Sequence, residues 1–364
     1  MIFIVRVSDS ERLSDFHKIF ITVKIFDSMK KDTLLSISEK TGYSISTVSR
    51  VLSGKGRQYR ISQKTIDRVT EIAQSCNYTP NMIAQSLRTN KTNTIGLIVP
   101  NIDNPFFATL SAVIINQLKE RGYNILLTDT MENEINEVQA LNSFVSRNVD
   151  GIIAVPVGIS PTQLEETARQ VPVVLIDRYF DDTSLPYVCT DNYAGGYMAT
   201  EYLIHKGYRN LLALQGVRTS MPNKERLRGF RQAIKDYESM GVQGRVAGES
   251  FSVENGYNEA MLLLGSEGAP DAVFAFSTTI LLGVLKAVKE LGLAIPSDVA
   301  LISFDNNRFL DYFDPAVTRI EQPLNAIGKL ATDTIIKMIE GDGDTELSTS
   351  QILIRPTLIE GHSC

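Results

Sequence analysis

From residue 94 to the C-terminus, short apolar runs alternate with stretches in which apolar residues recur every three or four positions. The runs, rich in Val, Ile, Leu and Phe, lie at Ile95–Val99, Asn124–Leu127, Gly151–Val155, Val173–Ile176, Tyr187–Cys189, Leu211–Leu214, Val273–Phe276, Val299–Ser303, Thr318–Ile320 and Ile352–Ile354. Runs of this length predict buried strands, and the stretches between them predict amphipathic helices. Continuous apolar strands that alternate with helices are typical of parallel sheets covered on both faces.

The number of predicted strands is too large for one compact sheet. We therefore expect an α/β core of two doubly wound parallel-sheet subdomains with a cleft between them. The helical patterns between the strands include Phe107–Arg121, Glu137–Arg147, Tyr197–Lys206, Arg226–Tyr237, Tyr257–Leu264 and Ile280–Leu291.

Residues 33–76 have the spacing of short helices instead. Gly42 separates two helical patterns, and the second, Ile45–Leu52, places Val48, Val51 and Leu52 on one face. The opposite face carries Ile45, Ser46, Ser49 and Arg50. A short helix, a tight turn and a second helix with a small, polar, basic outer face predict a DNA-binding helix-turn-helix. A third pattern, Gln63–Cys76, comes after the N-cap candidate Ser62 and closes a small all-α domain.

Beyond these helices the pattern breaks. After Asn77–Pro80, the segment Asn81–Leu87 is too short to be a stable helix by itself, and the composition of Arg88–Asn93 indicates a polar linker. The first 28 residues fit poorly with the rest of the chain, and they lack the basic start, apolar core and cleavage site of a signal peptide. Our hypothesis is that translation begins at Met29, and that residues 1–28 are either a disordered tail or not translated.

Charge is distributed unevenly along the chain. The net charge of the 364 residues is −6, yet eleven Lys and Arg stand against four Asp and Glu between Met29 and Lys91. A basic head on an acidic body indicates a module that contacts phosphates, joined to a core with a different task.

Several other classes of protein are disfavoured. The three cysteines and three histidines are scattered, which argues against a zinc site or a disulfide framework and fits a reducing, cytoplasmic setting. No apolar run reaches the roughly 18–20 residues of a membrane span. Motifs for nucleotide binding, for a serine nucleophile or for a metalloprotease are absent from the sequence. We expect no enzyme activity, no cofactor and no metal site.

The runs ISTVSRVLSGKG and NYTPNMIAQSLRTNKTNTIGLIVPNIDNPFF resemble the lactose-repressor/galactose-repressor (LacI/GalR) family of bacterial transcription regulators. The likeness extends from Thr33 to the C-terminus and implies a core like that of type I periplasmic sugar-binding proteins, in which the chain crosses between two lobes three times. We place the crossings near Asp191, Gln322 and Gly341–Leu347. The predicted domains are an extension 1–28, a helix-turn-helix domain 29–79, a hinge helix and linker 80–93 and a core 94–364, with an N-subdomain of about 94–190 plus 323–340 and a C-subdomain of about 191–320 plus 348–364.

The resemblance also implies which residues bind DNA. Base-reading positions correspond to Ile45, Ser46 and Arg50, phosphate-contacting positions to Thr33, Ser44, Thr47 and Ser53, and hinge positions to Asn81, Ala84 and Leu87. Arginine can make a bidentate contact to guanine, and isoleucine can meet a thymine methyl group. The family's hinge helix folds on DNA and pushes a leucine, here Leu87, into the minor groove. The alternatives are a merely solvated polar face and a Leu87 packed in a permanent helix.

Ligands of doubly wound folds bind at the carboxyl ends of the strands, so residues that come after the apolar runs are candidates for the cleft. These candidates are Asn104, Phe106, Phe107, Asp177, Arg178, Arg226, Phe276, Ser277, Asp305 and Gln322. Carboxylates, amides and guanidinium groups offer the paired donors and acceptors that vicinal hydroxyls need, and aromatic rings can stack on a sugar ring. One departure is Ser277-Thr278, where the family often has Asn-Asp, which puts a direct carry-over of ligand identity in doubt.

Each cleft candidate has a structural alternative. Asn104–Phe107 can be a helix start with Phe107 in the core, Asp305 and Arg226 can form a structural salt bridge, and Asp191 can cap the next helix.

The predicted function is a sequence-specific transcriptional regulator, a repressor that binds a pseudopalindromic operator as a homodimer. A small-molecule effector, expected to be a sugar or sugar derivative, would bind in the cleft. The alternative is a sugar-binding protein without a role on DNA.

Overall fold

A computed structural model of the chain describes residues 32–78, 91–341 and 350–364. The chain divides into two compact units, Met1–Asn90 and Lys91–Cys364, here called the head and the core unit. The predicted extension 1–28, the hinge positions Asn81, Ala84 and Leu87, and most of the predicted crossing Gly341–Leu347 lie outside the described residues.

The head contains the three predicted helices, α1 (Leu34–Thr41), α2 (Ile45–Leu52) and α3 (Gln63–Ser75). The turn between α1 and α2 needs Gly42, whose φ of 74° lies in the left-handed region that glycine adopts at little cost. The three helices bury a small apolar cluster of Ile37, Val48, Val51 and Val69. Since α2 places Val48 and Val51 one turn apart on this cluster, its other face is left to solvent.

The core unit has two six-stranded sheets, which confirms the predicted pair of doubly wound subdomains. The first sheet has the order β11-β5-β4-β3-β1-β2, and all its neighbours are parallel. Its strands are β1 (Thr94–Val99), β2 (Asn124–Asp129), β3 (Gly151–Ala154), β4 (Val173–Ile176), β5 (Tyr187–Thr190) and β11 (Gln351–Ile354). The helices of this first lobe are α4 (Pro105–Glu120), α5 (Glu134–Ser146), α6 (Thr162–Ala168) and α11 (Leu324–Glu340).

The second sheet has the order β12-β10-β9-β8-β6-β7, in which only β12 is antiparallel to its neighbour. Its strands are β6 (Asn210–Leu214), β7 (Gln243–Ala247), β8 (Ala272–Ala275), β9 (Ala300–Phe304), β10 (Thr318–Glu321) and β12 (Thr357–Ile359). The helices of this second lobe are α7 (Asn192–His205), α8 (Met221–Asp236), α9 (Val253–Leu264) and α10 (Thr278–Leu291).

Both faces of the central strands are covered. In β1, Leu97 packs in one apolar cluster with α4 and α11, whereas the next residue, Ile98, packs in another cluster with α5. Both side chains are fully buried. Successive side chains of a strand point to opposite faces, so a strand buried on both sides must be apolar at every position.

The C-terminal segment corrects the predicted subdomain boundary. The sequence prediction places residues 348–364 in the second lobe, but β11 pairs in parallel with β5 of the first sheet, and only β12 joins the second sheet. The chain therefore makes its last passage between lobes at Arg355–Pro356 rather than near Gly341–Leu347. The other two passages come after Thr190 and Glu321. The assignment was wrong because a strand joins the sheet whose free edge it pairs with, and its own sequence does not show which edge that is.

Candidate functional site

The outer face of α2 is the first candidate site. Ile45 is 47% exposed although it is large and apolar, and Ser46 and Arg50 are exposed beside it. Ser44 begins the helix as its N-cap, with its Oγ accepting the backbone N–H of Thr47 at 3.2 Å. This face can therefore offer a methyl contact, a hydroxyl and a guanidinium to the edge of a base.

Hydroxyl side chains surround the ends of α1 and α2. Thr33 caps α1 in a reciprocal arrangement, since its backbone N–H donates to Ser36 Oγ at 2.9 Å and its own Oγ1 accepts the Ser36 N–H at 3.3 Å. Ser53 lies just after α2 and donates to the Arg50 carbonyl at 3.2 Å. Exposed helix N-termini carry partial positive charge, so Thr33 and Ser44 lie where phosphate oxygens are favoured.

The second candidate site is the cleft between the two lobes of the core unit. Nine of the ten predicted cleft residues line it, and Phe276 is the exception. The lining consists of Asn104, Phe106, Phe107, Glu132, Asp177, Arg178, Pro222, Arg226, Phe251, Ser277, Asp305 and Gln322. Its free volume is about 30 Å³, room for little more than a water molecule. A bound sugar would need more room than this, so we expect the lobes or these side chains to move apart on binding.

Two carboxylates occupy the same position in the two lobes. Asp177 comes directly after β4 and Asp305 directly after β9, and both have left-handed backbones, with φ of 62° and 77°. Such φ values are uncommon for residues other than glycine, and strain of this kind is typical of functional sites. Asp305 accepts a hydrogen bond from Gln322 Nε2 at 2.6 Å, and Gln322 Oε1 accepts one from Thr190 at 2.6 Å. Burial raises the pKa of both carboxyl groups, that of Asp177 to about 6.

Two arginines face these acids. Arg178 Nε lies 3.8 Å from Asp177 Oδ2, and both arginines are also held by other groups. Arg178 donates from Nη1 and Nη2 to the Glu132 carboxylate at 2.8 and 2.7 Å. Arg226 donates from Nε to Asn192 Oδ1 at 2.8 Å and from Nη1 to the Phe276 carbonyl. Its guanidinium lies 3.6 Å from the centre of the Phe304 ring. Burial lowers the pKa of Arg226.

The structural alternatives have separate outcomes. Asp191 Oδ1 accepts the Ala194 N–H at 2.8 Å, so its role as a helix cap is confirmed. Asn104 caps α4 through the Phe106 N–H at 3.0 Å, and Phe107 is only 4% exposed, yet both residues also line the cleft. Among the described residues, Arg226 forms no ion pair with Asp305.

Phe276 does not line the cleft, contrary to the prediction. Its side chain is fully buried against Phe274, and only its carbonyl reaches the cleft arginine. Phe276 lies two residues after Phe274, so the two side chains project from the same side of the extended chain, and both rings pack in the apolar core of the second lobe. Sequence reasoning also missed Glu132, Pro222 and Phe251. Glu132 lies just beyond β2, so the expectation that ligands bind at the carboxyl ends of the strands could have included it. Phe251 lies beyond β7, a strand that was not predicted.

The raised pKa of Asp177 gives a pH-dependent stability. A carboxyl with a folded pKa of about 6 and an unfolded value of roughly 3.9 binds an extra proton on folding between these limits, so stability falls as pH rises through them. We compare the free energy of unfolding of the wild type with that of Asp177→Asn. We expect the difference, wild type minus variant, to fall by about 2 kcal/mol between pH 4 and 6.5 and to stay constant above pH 7. Urea unfolding followed by circular dichroism measures both proteins. Parallel pH profiles would contradict the raised pKa.

Neither a membrane span nor a metal cluster is found in the parts of the chain that the structure describes. No described helix is long and apolar enough to cross a membrane. The described residues also contain no group of three or more His, Cys, Asp and Glu side chains able to hold a metal ion.

Two family models match the chain, one on each unit. The model of "Bacterial regulatory proteins, lacI family" matches residues 33–81. The model of "Periplasmic binding proteins and sugar binding domain of LacI family" matches residues 92–360. The chain is also similar over almost its whole length to the HTH-type transcriptional regulator DegA of Bacillus subtilis (strain 168), with 32% identity over 92% of this chain and 98% of that protein.

Solved structures agree with these matches. A periplasmic binding protein/LacI transcriptional regulator from Alkaliphilus metalliredigens QYMF, complexed with D-xylulofuranose, is 29% identical, with a TM-score of 0.65 over 74% of this chain and 98% of that one. A lac repressor dimer bound to operator and the anti-inducer ONPF has a TM-score of 0.81 over 92% of this chain and 99% of that one. At 21% identity, the second likeness concerns the fold alone.

Proposed function

The chain belongs to the LacI family of bacterial regulatory proteins, and from this premise we propose how its two units divide the work of a transcriptional repressor. The head binds a pseudopalindromic operator in double-stranded DNA as part of a homodimer. The core unit binds a small-molecule effector, a carbohydrate, and sets the affinity of the head. Since such a regulator acts on the chromosome, we place it in the cytoplasm.

On the DNA, α2 enters the major groove. Ile45, Ser46 and Arg50 are exposed on the face that the apolar cluster of the head leaves free, which supports their role in reading bases. Thr33, Ser44 and Thr47 lie at helix N-termini, which favour phosphate oxygens, and Ser53, the C-cap of α2, offers a hydroxyl for the same purpose. We assign Asn81, Ala84 and Leu87 to the hinge by family resemblance, with Leu87 as the minor-groove wedge.

The effector site is the cleft, and one observation carries this assignment. Residues from both lobes, scattered from Asn104 to Gln322 along the chain, meet around a single volume. The two buried carboxylates and two arginines suit the hydroxyl groups of a sugar, and Phe107 or Phe251 offers a ring to stack on its C–H face.

Control requires the cleft and the head to be coupled. The effector favours one arrangement of the lobes, and this arrangement favours either the folded or the melted state of the hinge in the dimer. A ligand can shift such an equilibrium only by its difference in affinity for the two arrangements. The very small free volume of the cleft supports a requirement for lobe movement on binding.

Two other functions are less well supported. A sugar-binding protein without a role on DNA would have no use for the eleven basic residues between Met29 and Lys91 or for an exposed recognition face. An enzyme is disfavoured because the family consists of DNA-binding regulators, so we propose that the cleft acidic residues bind a ligand and carry out no catalysis.

The test combines an operator with an effector. An operator is recovered by selecting, from random double-stranded DNA, the sequences that bind the full-length protein. Candidate cleft ligands are the sugars and sugar phosphates that raise the melting temperature of the protein. We expect at least one ligand to change operator affinity about 5- to 150-fold, measured by fluorescence anisotropy, with little change on random DNA. If no ligand that binds the core alters operator affinity, the allosteric part of the proposal fails.

A further inference from the structure

The loop after α2 is ordered around the carbonyl group of Arg50. The backbone N–H of Lys55 donates to this carbonyl at 3.0 Å, and the N–H of Tyr59 donates to the Lys55 carbonyl at 3.2 Å. Gly54, with a φ of 73°, makes the turn that brings the loop back. Two successive hydrogen bonds therefore fix the backbone of Tyr59 relative to the last turn of the recognition helix.

The side chains of Tyr59 and Arg50 also meet. The guanidinium carbon of Arg50 lies 4.2 Å from the centre of the Tyr59 ring, a distance at which cation–π attraction is effective. Tyr59 is 51% exposed and stands outside the apolar cluster formed around Ile37, Val48 and Val69. A large aromatic ring in this position has no evident role in holding the head together.

The contact with the ring leaves the N–H groups of the guanidinium available. Within the described part of the chain, no ion pair or side-chain hydrogen bond engages the Arg50 guanidinium. The face of an aromatic ring attracts the charge of a guanidinium without taking up its five N–H groups in conventional hydrogen bonds. These are the groups that would bind O6 and N7 of guanine.

We infer that Tyr59 is a specificity-determining positioning residue, which holds the Arg50 guanidinium in the orientation needed to read one base pair. An arginine loses rotamer freedom when it is fixed, and contact with the ring removes part of this loss before DNA binds. The ring thus favours the specific contact more than it favours general attraction to phosphate. This inference rests on the proposed base-reading role of Arg50.

A different role for Tyr59 would depend on its hydroxyl group, which can donate to a phosphate oxygen. The two roles differ under substitution. Tyr59→Phe keeps the ring and loses the hydroxyl, whereas Tyr59→Ala loses both. Phosphate contacts carry no sequence information, so their loss weakens binding to all sequences alike.

The experiment uses the full-length protein and the operator selected on the wild type, with each base pair of a half-site substituted in turn. Affinities are measured by fluorescence anisotropy for the wild type, Arg50→Ala, Tyr59→Ala, Tyr59→Phe and the double variant Arg50→Ala/Tyr59→Ala. Arg57→Ala serves as the matched control, because Arg57 lies in the same basic loop and makes a hydrogen bond to Gln63 rather than to Arg50. Circular dichroism and thermal unfolding establish that each variant is folded.

We expect Arg50→Ala to lower preference at one base pair about 10-fold or more, and Tyr59→Ala to lower it about 3- to 5-fold at that same base pair. Tyr59→Phe keeps the preference, Tyr59→Ala has no further effect on preference in the Arg50→Ala background, and Arg57→Ala weakens all sequences equally. If Arg50→Ala leaves every preference unchanged, the base-reading role itself fails. If Arg50→Ala relaxes preference but Tyr59→Ala does not, or if Tyr59→Phe weakens all sequences as Tyr59→Ala does, the inference about Tyr59 is wrong.

Discussion

Arg226→Met is expected to weaken effector binding by about 2–5 kcal/mol, roughly 30-fold or more, and with it the response of operator affinity to effector. Arg226 is only 3% exposed and is the charge that the second lobe places near Asp177 and Asp305. Methionine keeps much of the volume but leaves both carboxylates less compensated. It also leaves Asn192 Oδ1 and the Phe276 carbonyl without the donor they have now.

The measurement is isothermal titration calorimetry with the sugar found by the thermal screen. Arg228→Met is the matched control, because Arg228 lies two residues further along α8, is largely exposed and pairs with Glu225. We expect this control to bind effector like the wild type, since exposed ion pairs contribute roughly 0–1 kcal/mol. Equal affinities of Arg226→Met and Arg228→Met would remove Arg226 from the effector site.

Gly229→Ala should destabilise the core unit by about 3 kcal/mol, although alanine is normally the better helix former by about 1 kcal/mol. A Cβ at position 229 would lie 2.2 Å from the Tyr193 carbonyl oxygen and 2.6 Å from the Tyr197 nitrogen, both of them backbone atoms of α7. The clash is reciprocal, because a Cβ at Gly196 of α7 would lie 2.3 Å from the Arg226 carbonyl oxygen. Since backbone atoms cannot rotate away, α8 must move and carry Arg226 with it.

Thermal and urea unfolding of the variant measure this loss, and calorimetry should detect weaker effector binding in the same protein. Gly244→Ala is the control, because the atoms nearest to a Cβ there are side-chain atoms of Ile234 and Phe230 at 3.0 Å rather than backbone atoms, so we expect a smaller loss. A Gly229→Ala variant that is as stable as the wild type would contradict the close backbone packing of α7 and α8.

The recognition face and most of the cleft were predictable because local rules fix them. Helical spacing and an N-cap serine define α2, and a cluster on one side of a helix leaves the other side exposed. Parallel strands bring their carboxyl ends to one edge, so residues after the apolar runs gather there whatever their distance along the chain. This rule placed Asp177 and Asp305 in one cleft although 127 residues separate them.

Features that depend on partners distant in the sequence were not predictable. Strand β7 has the sequence QGRVA, which is more typical of a loop, and it becomes a strand only because β6 offers a free edge. The position of Glu132 after β2 was open to prediction, but its pairing with Arg178, 46 residues further along the chain, was not. The stacking of Tyr59 on Arg50 depends on the path of a loop whose sequence indicates only a basic turn.

The sequence by itself determined the two units, the alternation of strands and helices and the chemical types available for DNA and effector. Periodicity, capping and charge act over a few residues, and they can be read without knowing where the chain goes next. The tertiary structure alone decided that β11 returns to the first sheet, that Phe276 faces the core and that the charge of Arg226 lies near two buried acids. Each of these depends on which distant segment supplies a hydrogen-bonding edge, a packing surface or a charge, and such choices are settled only when the whole core has assembled.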